Sequence, residues 1–78
     1  MMKELVEYIV KGLVEKPDEV SVVEVGGPTI LLELTVAAED MGRVIGKRGR
    51  IINAIRTLLN VAAAKQGKRV ALELVEFD

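Results

Sequence analysis

The chain has 78 residues, half of them apolar, with no cysteine, no histidine and a formal net charge of −1. This length suits one domain with a thin core, because such a domain buries only about 60–65% of the surface that its unfolded chain exposes. Without cysteine and histidine there are no disulfides, no thiolate or imidazole metal ligands and few of the usual catalytic groups, so we expect neither an enzyme nor a cofactor.

The first segment predicts an amphipathic helix that ends at Pro17-Asp18. Its apolar side, which repeats at helical spacing, consists of Leu5, Val6, Ile9, Val10, Leu13 and Val14. No apolar run in the chain approaches the roughly 20 residues that a membrane span requires, and no signal-peptide core follows the N-terminus. We therefore expect residues 1–78 to form a single cytoplasmic domain without membrane contact.

Two strands joined by a tight turn are predicted next. Residues 20–25 are rich in valine, which favours a strand, although Ser21 and Glu24 fall on opposite faces and leave its inward face undecided. Gly26-Gly27-Pro28 has the composition of a turn, so the strands on either side should pair as a hairpin. The alternating apolar positions of the second strand are Ile30, Leu32, Leu34 and Val36.

A short helix is predicted after the second strand. Glu39 and Asp40 stand where the first turn of a helix favours acidic residues, and we interpret them as helix-start acids. The alternative, a pair of catalytic carboxylates, is disfavoured because adjacent helical side chains point about 100° apart. A brief apolar stripe then leads to a break at Gly46; it consists of Met41, Val44 and Ile45.

A longer helix over residues 50–66 and a final strand from Val70 complete the pattern. The apolar centre of this third helix is Ile51, Ile55, Leu58, Leu59 and Ala62. Since a helical crossover joins the second and third strands, they should be parallel if they are neighbours. The economical arrangement is an α+β fold, with a three-stranded mixed sheet and three helices on one face.

A turn between the second and third helices carries the functional hypothesis. Gly46 and Gly49 bracket Lys47 and Arg48, and we expect the glycines to supply positive φ angles and close backbone approach. An anion at this turn would then be attracted by the amides at the start of the third helix, by the helix dipole and by the two cations. We interpret the turn as a phosphate cradle, because a plain helix–helix turn gives no reason for cations at both tip positions.

The charges along the chain are strongly asymmetric. Residues 41–72 contain eight cations and no acid, whereas all twelve acids lie elsewhere. Such asymmetry is typical of a surface that binds a polyanion, although a charge run by itself is more often a solvated face. The eight cations are Arg43, Lys47, Arg48, Arg50, Arg56, Lys65, Lys68 and Arg69.

The turn resembles the GxxG loop of KH domains, which clamps the backbone of about four unpaired nucleotides. The predicted order α-β-β-α-α-β, with the turn between the last two helices, is similar to that of the type II KH fold. The runs at residues 41–50 and 54–59, together with the chain length, resemble the KhpA family of small bacterial single-KH proteins. The resemblance implies cytoplasmic RNA binding, a homodimer, and a possible heterodimer with a larger KH protein, KhpB, also called Jag.

The same resemblance implies which residues would contact single-stranded RNA. Lys47 and Arg48 would meet phosphates, while Gly46 and Gly49 let the nucleic-acid backbone approach. The other predicted contacts are Val44, Ile45 and Ile52 as the floor of a nucleotide groove, Arg43 and Arg50 beside the turn, and Lys68 and Arg69 on the far side of the groove. For the three apolar residues, ordinary core packing is an equally open alternative.

Two other kinds of site are disfavoured. A Walker A loop needs four residues between its glycines and Ser or Thr after the lysine, whereas three residues separate Gly42 from Gly46 and an arginine follows the lysine. The only aromatic residues, Tyr8 and Phe77, lie far in sequence from the basic region, which argues against RRM and OB modules that stack bases on aromatic rings. We therefore expect no small-molecule substrate.

The third helix also predicts self-association. Its apolar side chains span roughly 200° of the helical wheel, whereas a core stripe needs about 100°. One flank of the excess can line the groove, and the other should form an association surface unless the first helix covers it. The second hypothesis is therefore a protein-interaction subunit for which RNA contact is secondary.

Overall fold

The computed structural model describes residues 2–75 and has its helices and strands in the predicted order. Phe77, which entered the prediction, lies outside the described residues. Within the described part of the chain, no helix is both long and apolar enough to cross a membrane. The elements are α1 (Met2–Lys11), β1 (Ser21–Val25), β2 (Thr29–Thr35), α2 (Met41–Ile45), α3 (Arg50–Lys65) and β3 (Arg69–Leu74), with single turns of 3-10 helix at Pro17–Glu19, Ala38–Asp40 and Lys47–Gly49.

The three strands form one mixed sheet in the order β1-β2-β3. β1 and β2 are antiparallel, with Val22 opposite Leu34, as expected for a hairpin. β2 and β3 are parallel, with Leu32 beside Leu72, because α2 and α3 carry the chain back across the sheet. The predicted mixed sheet is therefore confirmed, and it leaves β1 and β3 at its two edges.

The helices pack on one face of the sheet and enclose the core between the two layers. The inward face of β1, which the sequence left undecided, is the face of Val22, whereas Val23 and Val25 are about half exposed. Each buried aliphatic side chain contributes roughly 1.5–3 kcal/mol relative to an exposed one. The sheet and helix residues at the centre of the core are Val6, Val10, Val22, Leu32, Leu34, Ile55, Leu59 and Leu72.

α1 ends at Lys11, more than one turn before the Pro17-Asp18 position that the apolar pattern predicted. The amide of Gly12 donates to the carbonyls of Tyr8 and Ile9, at 3.3 and 3.2 Å, and closes the last turn. Glycine is a poor helix residue, and the chain leaves the helix direction there. This earlier end lets the segment after the helix run toward α2.

Asp40 joins that segment to the start of α2. Its carboxylate accepts hydrogen bonds from the amides of Glu15, at 3.1 Å, and Lys16, at 3.0 Å, and it makes no capping bond to its own helix. Burial works to raise the pKa of Asp40, but these two amides and the charges of Arg43 and Lys16 outweigh it and hold that pKa below its ordinary value. The interpretation of Asp40 as a helix-start acid is therefore wrong in its role, although right in its position.

Candidate nucleic-acid interface

The chain reverses between α2 and α3 through three residues with positive φ angles. Gly46, Arg48 and Gly49 have φ angles of +75°, +58° and +74°. The predicted positive φ is thus present at both glycines. Arg48 also adopts it, and a residue with a side chain gives up roughly 1–2 kcal/mol there relative to glycine.

The two glycines are needed for different reasons. A Cβ on Gly46 would lie 2.6 Å from Cγ1 of Ile51, in the first turn of α3, so no side chain fits at that position. A Cβ on Gly49 would be 3.4 Å from Nδ2 of Asn53, which leaves the positive φ as its main requirement. The close approach at Gly46 is therefore an approach of α2 to α3.

The amides of the turn are partly occupied by the turn itself. The N–H of Gly49 donates to the carbonyl of Gly46 at 3.2 Å, and the N–H of Arg50 donates to the carbonyl of Lys47. These two groups at the start of α3 were expected to face an anion. Because they are already bonded, the attraction for an anion rests mainly on the cationic side chains.

Lys47 and Arg48 lie exposed at the tip of the turn, and Arg50 follows them at the start of α3. Within residues 2–75, none of these three side chains forms an ion pair or a side-chain hydrogen bond. Their charge is thus uncompensated and concentrated on one projecting loop. This arrangement suits a polyanion that can reach the loop from outside.

Arg43 differs from these three cations. Its guanidinium lies 2.7 Å from Oε1 of Glu15 and 3.2 Å from Oδ1 of Asp40. It was predicted to contact RNA beside the turn, yet it is already neutralised by two carboxylates. The contact with Glu15 spans 28 positions of sequence, so no local pattern could have revealed it.

The apolar residues predicted for the groove floor divide between core and surface. Val44 is 0% exposed and belongs to the core, so the floor prediction is wrong for this residue and the core-packing alternative holds. Ile52 is also a core residue, with little surface left. Only Ile45, at 37% exposure, offers substantial apolar surface beside the turn.

A cleft of about 330 Å³ separates α3 from the edge strand β3. Nε of Arg56 donates to the carbonyl of Leu72 at 3.1 Å, and its Nη1 donates to Oδ1 of Asn53 at 3.1 Å, so this arginine crosses the cleft. The sequence analysis counted Arg56 only as a charge; its signal was the polar flank of α3, where Asn53, Arg56 and Asn60 recur at helical spacing. The lining residues are Arg56, Leu59, Asn60, Val70, Ala71, Leu72 and Glu73.

Lys68 and Arg69 do not face the glycine turn across a narrow groove. They follow the C-terminal end of α3, where the N–H of Lys68 donates to the carbonyl of Ala63 at 2.9 Å. A 16-residue helix is about 24 Å long, and the turn lies at its other end. The predicted far-side contacts therefore lie at the distant end of the cleft.

Comparison with known proteins links this arrangement to one family. The family model described as "KhpA/KhpB, KH domain" matches residues 3–74. A relative from Clostridium acetobutylicum is 59% identical over 95% of this chain and its own full length. Another from Chlamydia trachomatis is 55% identical over 96% of this chain and 97% of its own length. Both are named RNA-binding protein KhpA.

A solved structure shares the fold. A crystal structure of an Era variant from Aquifex aeolicus, bound to GDP and an aluminium fluoride, superposes with a TM-score of 0.67 at 23% identity. The match covers 94% of this chain but only 29% of the Era chain, and at this identity it shows the fold alone. With the family match, it confirms the predicted type II KH fold and its α-β-β-α-α-β order.

We expect Gly46→Ala to destabilise the domain by about 1–3 kcal/mol, because alanine meets Ile51 and also disfavours the positive φ. Gly42→Ala is the matched control: Gly42 lies in α2 with open space around its Cβ position, so alanine there should be neutral or slightly stabilising. Urea unfolding of both variants measures the difference. Equal stability of Gly46→Ala and the unsubstituted chain would contradict the packing constraint.

Proposed function

The chain belongs to the KhpA/KhpB family of KH domains, and on that premise we propose that it binds single-stranded RNA through the turn between α2 and α3. The observation that carries the proposal is the exposed, uncompensated pair Lys47 and Arg48 between Gly46 and Gly49. A narrow cationic turn can approach a phosphate backbone, and such contacts position a nucleic acid without reading its bases. The proposed role is therefore binding, not catalysis, in the cytoplasm.

The cleft between α3 and β3 is where we place the bases. Val70 supplies apolar surface, and donors come from Asn60 and from Nη2 of Arg56, which bonds neither Leu72 nor Asn53. β3 also has main-chain groups on its outer edge without a strand partner in the described sheet. Unpaired bases need such a surface, whereas bases in a duplex are turned inward. Because none of the described residues that line the cleft is aromatic, recognition should tolerate many sequences.

Self-association is the second part of the proposal. Leu58 and Val61 are 56% and 55% exposed on the flank of α3 that faces away from Arg56 and Asn60. α1 therefore leaves this flank uncovered, and an apolar patch on a small domain marks an interaction surface. We propose that this apolar patch mediates a homodimer, and that one subunit can be replaced by KhpB to give a heterodimer. The same family model covers the KH domain of KhpB. An interaction subunit with secondary RNA contact is the alternative function.

The first prediction concerns the tip of the turn. Lys47→Asp combined with Arg48→Asp should weaken binding of a random single-stranded RNA pool by about 100-fold or more, because two charge-assisted contacts of about 1.5 kcal/mol each are lost. Filter binding measures the affinity, and circular dichroism with thermal melting checks the fold. The control, Lys3→Asp with Lys11→Asp, makes the same charge change on α1. It should bind the RNA pool much more tightly than the tip variant does. Unchanged affinity of the tip variant would rule out the clamp.

The second prediction concerns salt. If about three phosphates are neutralised, log K should fall against log salt with a slope near −2, at about −0.7 per phosphate on single strands. Duplex RNA of the same length should bind more weakly, since its bases cannot enter the cleft. Filter binding between 50 and about 300 mM salt gives the slope. A flat response would contradict phosphate contact.

The third prediction concerns association. Sedimentation equilibrium across micromolar concentrations should show a dimer, and Leu58→Glu with Val61→Glu should shift it toward the monomer, because two charges would be buried in the interface. Tyr8→Glu is the control, since Tyr8 is a large side chain on α1 that is even more exposed, at 81%. A single monomer mass throughout, with no change on addition of KhpB, would reject association.

A further inference from the structure

α2 is too short to hold its own direction. It has five residues, and its N-terminal end has no side-chain cap. A helix of this length is unstable by itself, so tertiary contacts must keep it in place. Val44 anchors one side of it in the core, and the start of the helix is held by Asp40.

Asp40 and Arg43, with the amides of Glu15 and Lys16, form what we call the Asp40 bracket. Asp40 is 1% exposed, and its two oxygens accept from Glu15 N, Lys16 N and Arg43 Nη1, at 3.1, 3.0 and 3.2 Å. A buried carboxylate with three donors forms strong, directional bonds. The bracket therefore ties the first turn of α2 to the chain that follows α1.

The bracket is linked to the glycine turn by main-chain bonds. The N–H of Gly46 donates to the carbonyl of Gly42 at 2.9 Å, and the N–H of Gly49 donates to the carbonyl of Gly46 at 3.2 Å. Only two residues lie between Arg43 and Gly46. A tilt of α2 at Asp40 would thus be carried directly into the turn that presents Lys47 and Arg48.

Arg43 is poorly placed to bind a phosphate. Its guanidinium donates to Asp40, to Oε1 of Glu15 at 2.7 Å and to the carbonyl of Glu39 at 3.5 Å. To reach RNA it would have to leave a buried carboxylate that needs its charge. Lys47 and Arg48 can bind a phosphate without breaking a bond to a buried carboxylate.

Resting on the proposed RNA clamp, we propose that Asp40 and Arg43 are positioning residues that set the direction of α2 and hold the turn in its binding-competent form. Neither contacts RNA. If the bracket is broken, only a fraction of molecules presents the turn correctly, and the apparent affinity falls by that fraction. The competent molecules make the same phosphate contacts, so the slope of affinity against salt stays the same.

The test compares Asp40→Asn and Arg43→Gln with Lys47→Gln, in filter binding of single-stranded RNA over a salt titration. The two bracket variants should weaken binding by a similar factor, about 3- to 10-fold, with an unchanged slope. Lys47→Gln should weaken binding and flatten the slope by about 0.7. Lys11→Gln, an equal loss of charge in the last turn of α1, is the control, and circular dichroism confirms that every variant is folded at the assay temperature.

The sign of the Asp40→Asn effect separates positioning from simple electrostatics. Removal of a negative charge near the turn should tighten RNA binding if Asp40 acts only through its field, whereas loss of positioning weakens it. The double variant Asp40→Asn with Arg43→Gln should be about as weak as either single variant, because both break one unit. Tighter or unchanged binding by Asp40→Asn, or a slope flattened by Arg43→Gln, would overturn the proposal.

Glu15→Gln tests Arg43 with the buried bonds intact, because the amide of Glu15 still donates to Asp40. If Arg43 is a positioning residue, this variant should bind RNA like Glu19→Gln, a nearby exposed control. Tighter binding than that control would identify Arg43 as a phosphate ligand held in reserve and would overturn the proposal.

Hydrogen exchange tests the bracket without RNA, so failure of the RNA clamp itself remains distinguishable. Measured by NMR, the amides of Gly46 and Gly49 should exchange faster in Asp40→Asn than in Lys11→Gln, because the turn opens more often. Equal protection in the two variants would overturn the positioning role whether or not the chain binds RNA.

Discussion

The turn depends on the missing side chain of Gly46. Because no side chain stands between Gly46 and Ile51, α2 and α3 meet closely enough for three residues with positive φ to reverse the chain. Any Cβ at this position would push the two helices apart and move the tip. Core packing fixes the turn from both sides, since Val44 just before it and Ile52 just after it are both buried. Lys47 and Arg48 remain exposed between these two residues, which anchor the ends of the turn in the core.

The electrostatic design separates cations that hold the fold from cations that remain available. Arg43 is compensated by Asp40 and Glu15. Arg56 donates hydrogen bonds from Nε to Leu72 and from Nη1 to Asn53. The side chains at the tip of the turn have no such partners within residues 2–75. The net charge of −1 therefore conceals a local excess of positive charge at the turn between α2 and α3.

α3 serves three surfaces at once, which explains its wide apolar arc. Ile55 and Leu59 face the core, Arg56 and Asn60 border the cleft, and the flank with Leu58 remains exposed. A small domain has few elements, so each helix must combine stability with contact surfaces. In our proposal, RNA binding and self-association use opposite flanks of one helix, so neither needs to displace the other.

The sequence by itself determined the element order, the mixed sheet, the glycine turn and the family resemblance, because hydrophobic period and turn residues are local signals. Tertiary structure decided which partners those elements find. It ended α1 at Lys11, buried Asp40 against amides about 25 positions away and neutralised Arg43 with Glu15. Periodicity states which side of an element is apolar, but it contains no information on the distant chain that packs there. A charged residue whose partner is remote in sequence therefore looks the same as a free one until the fold brings the two together.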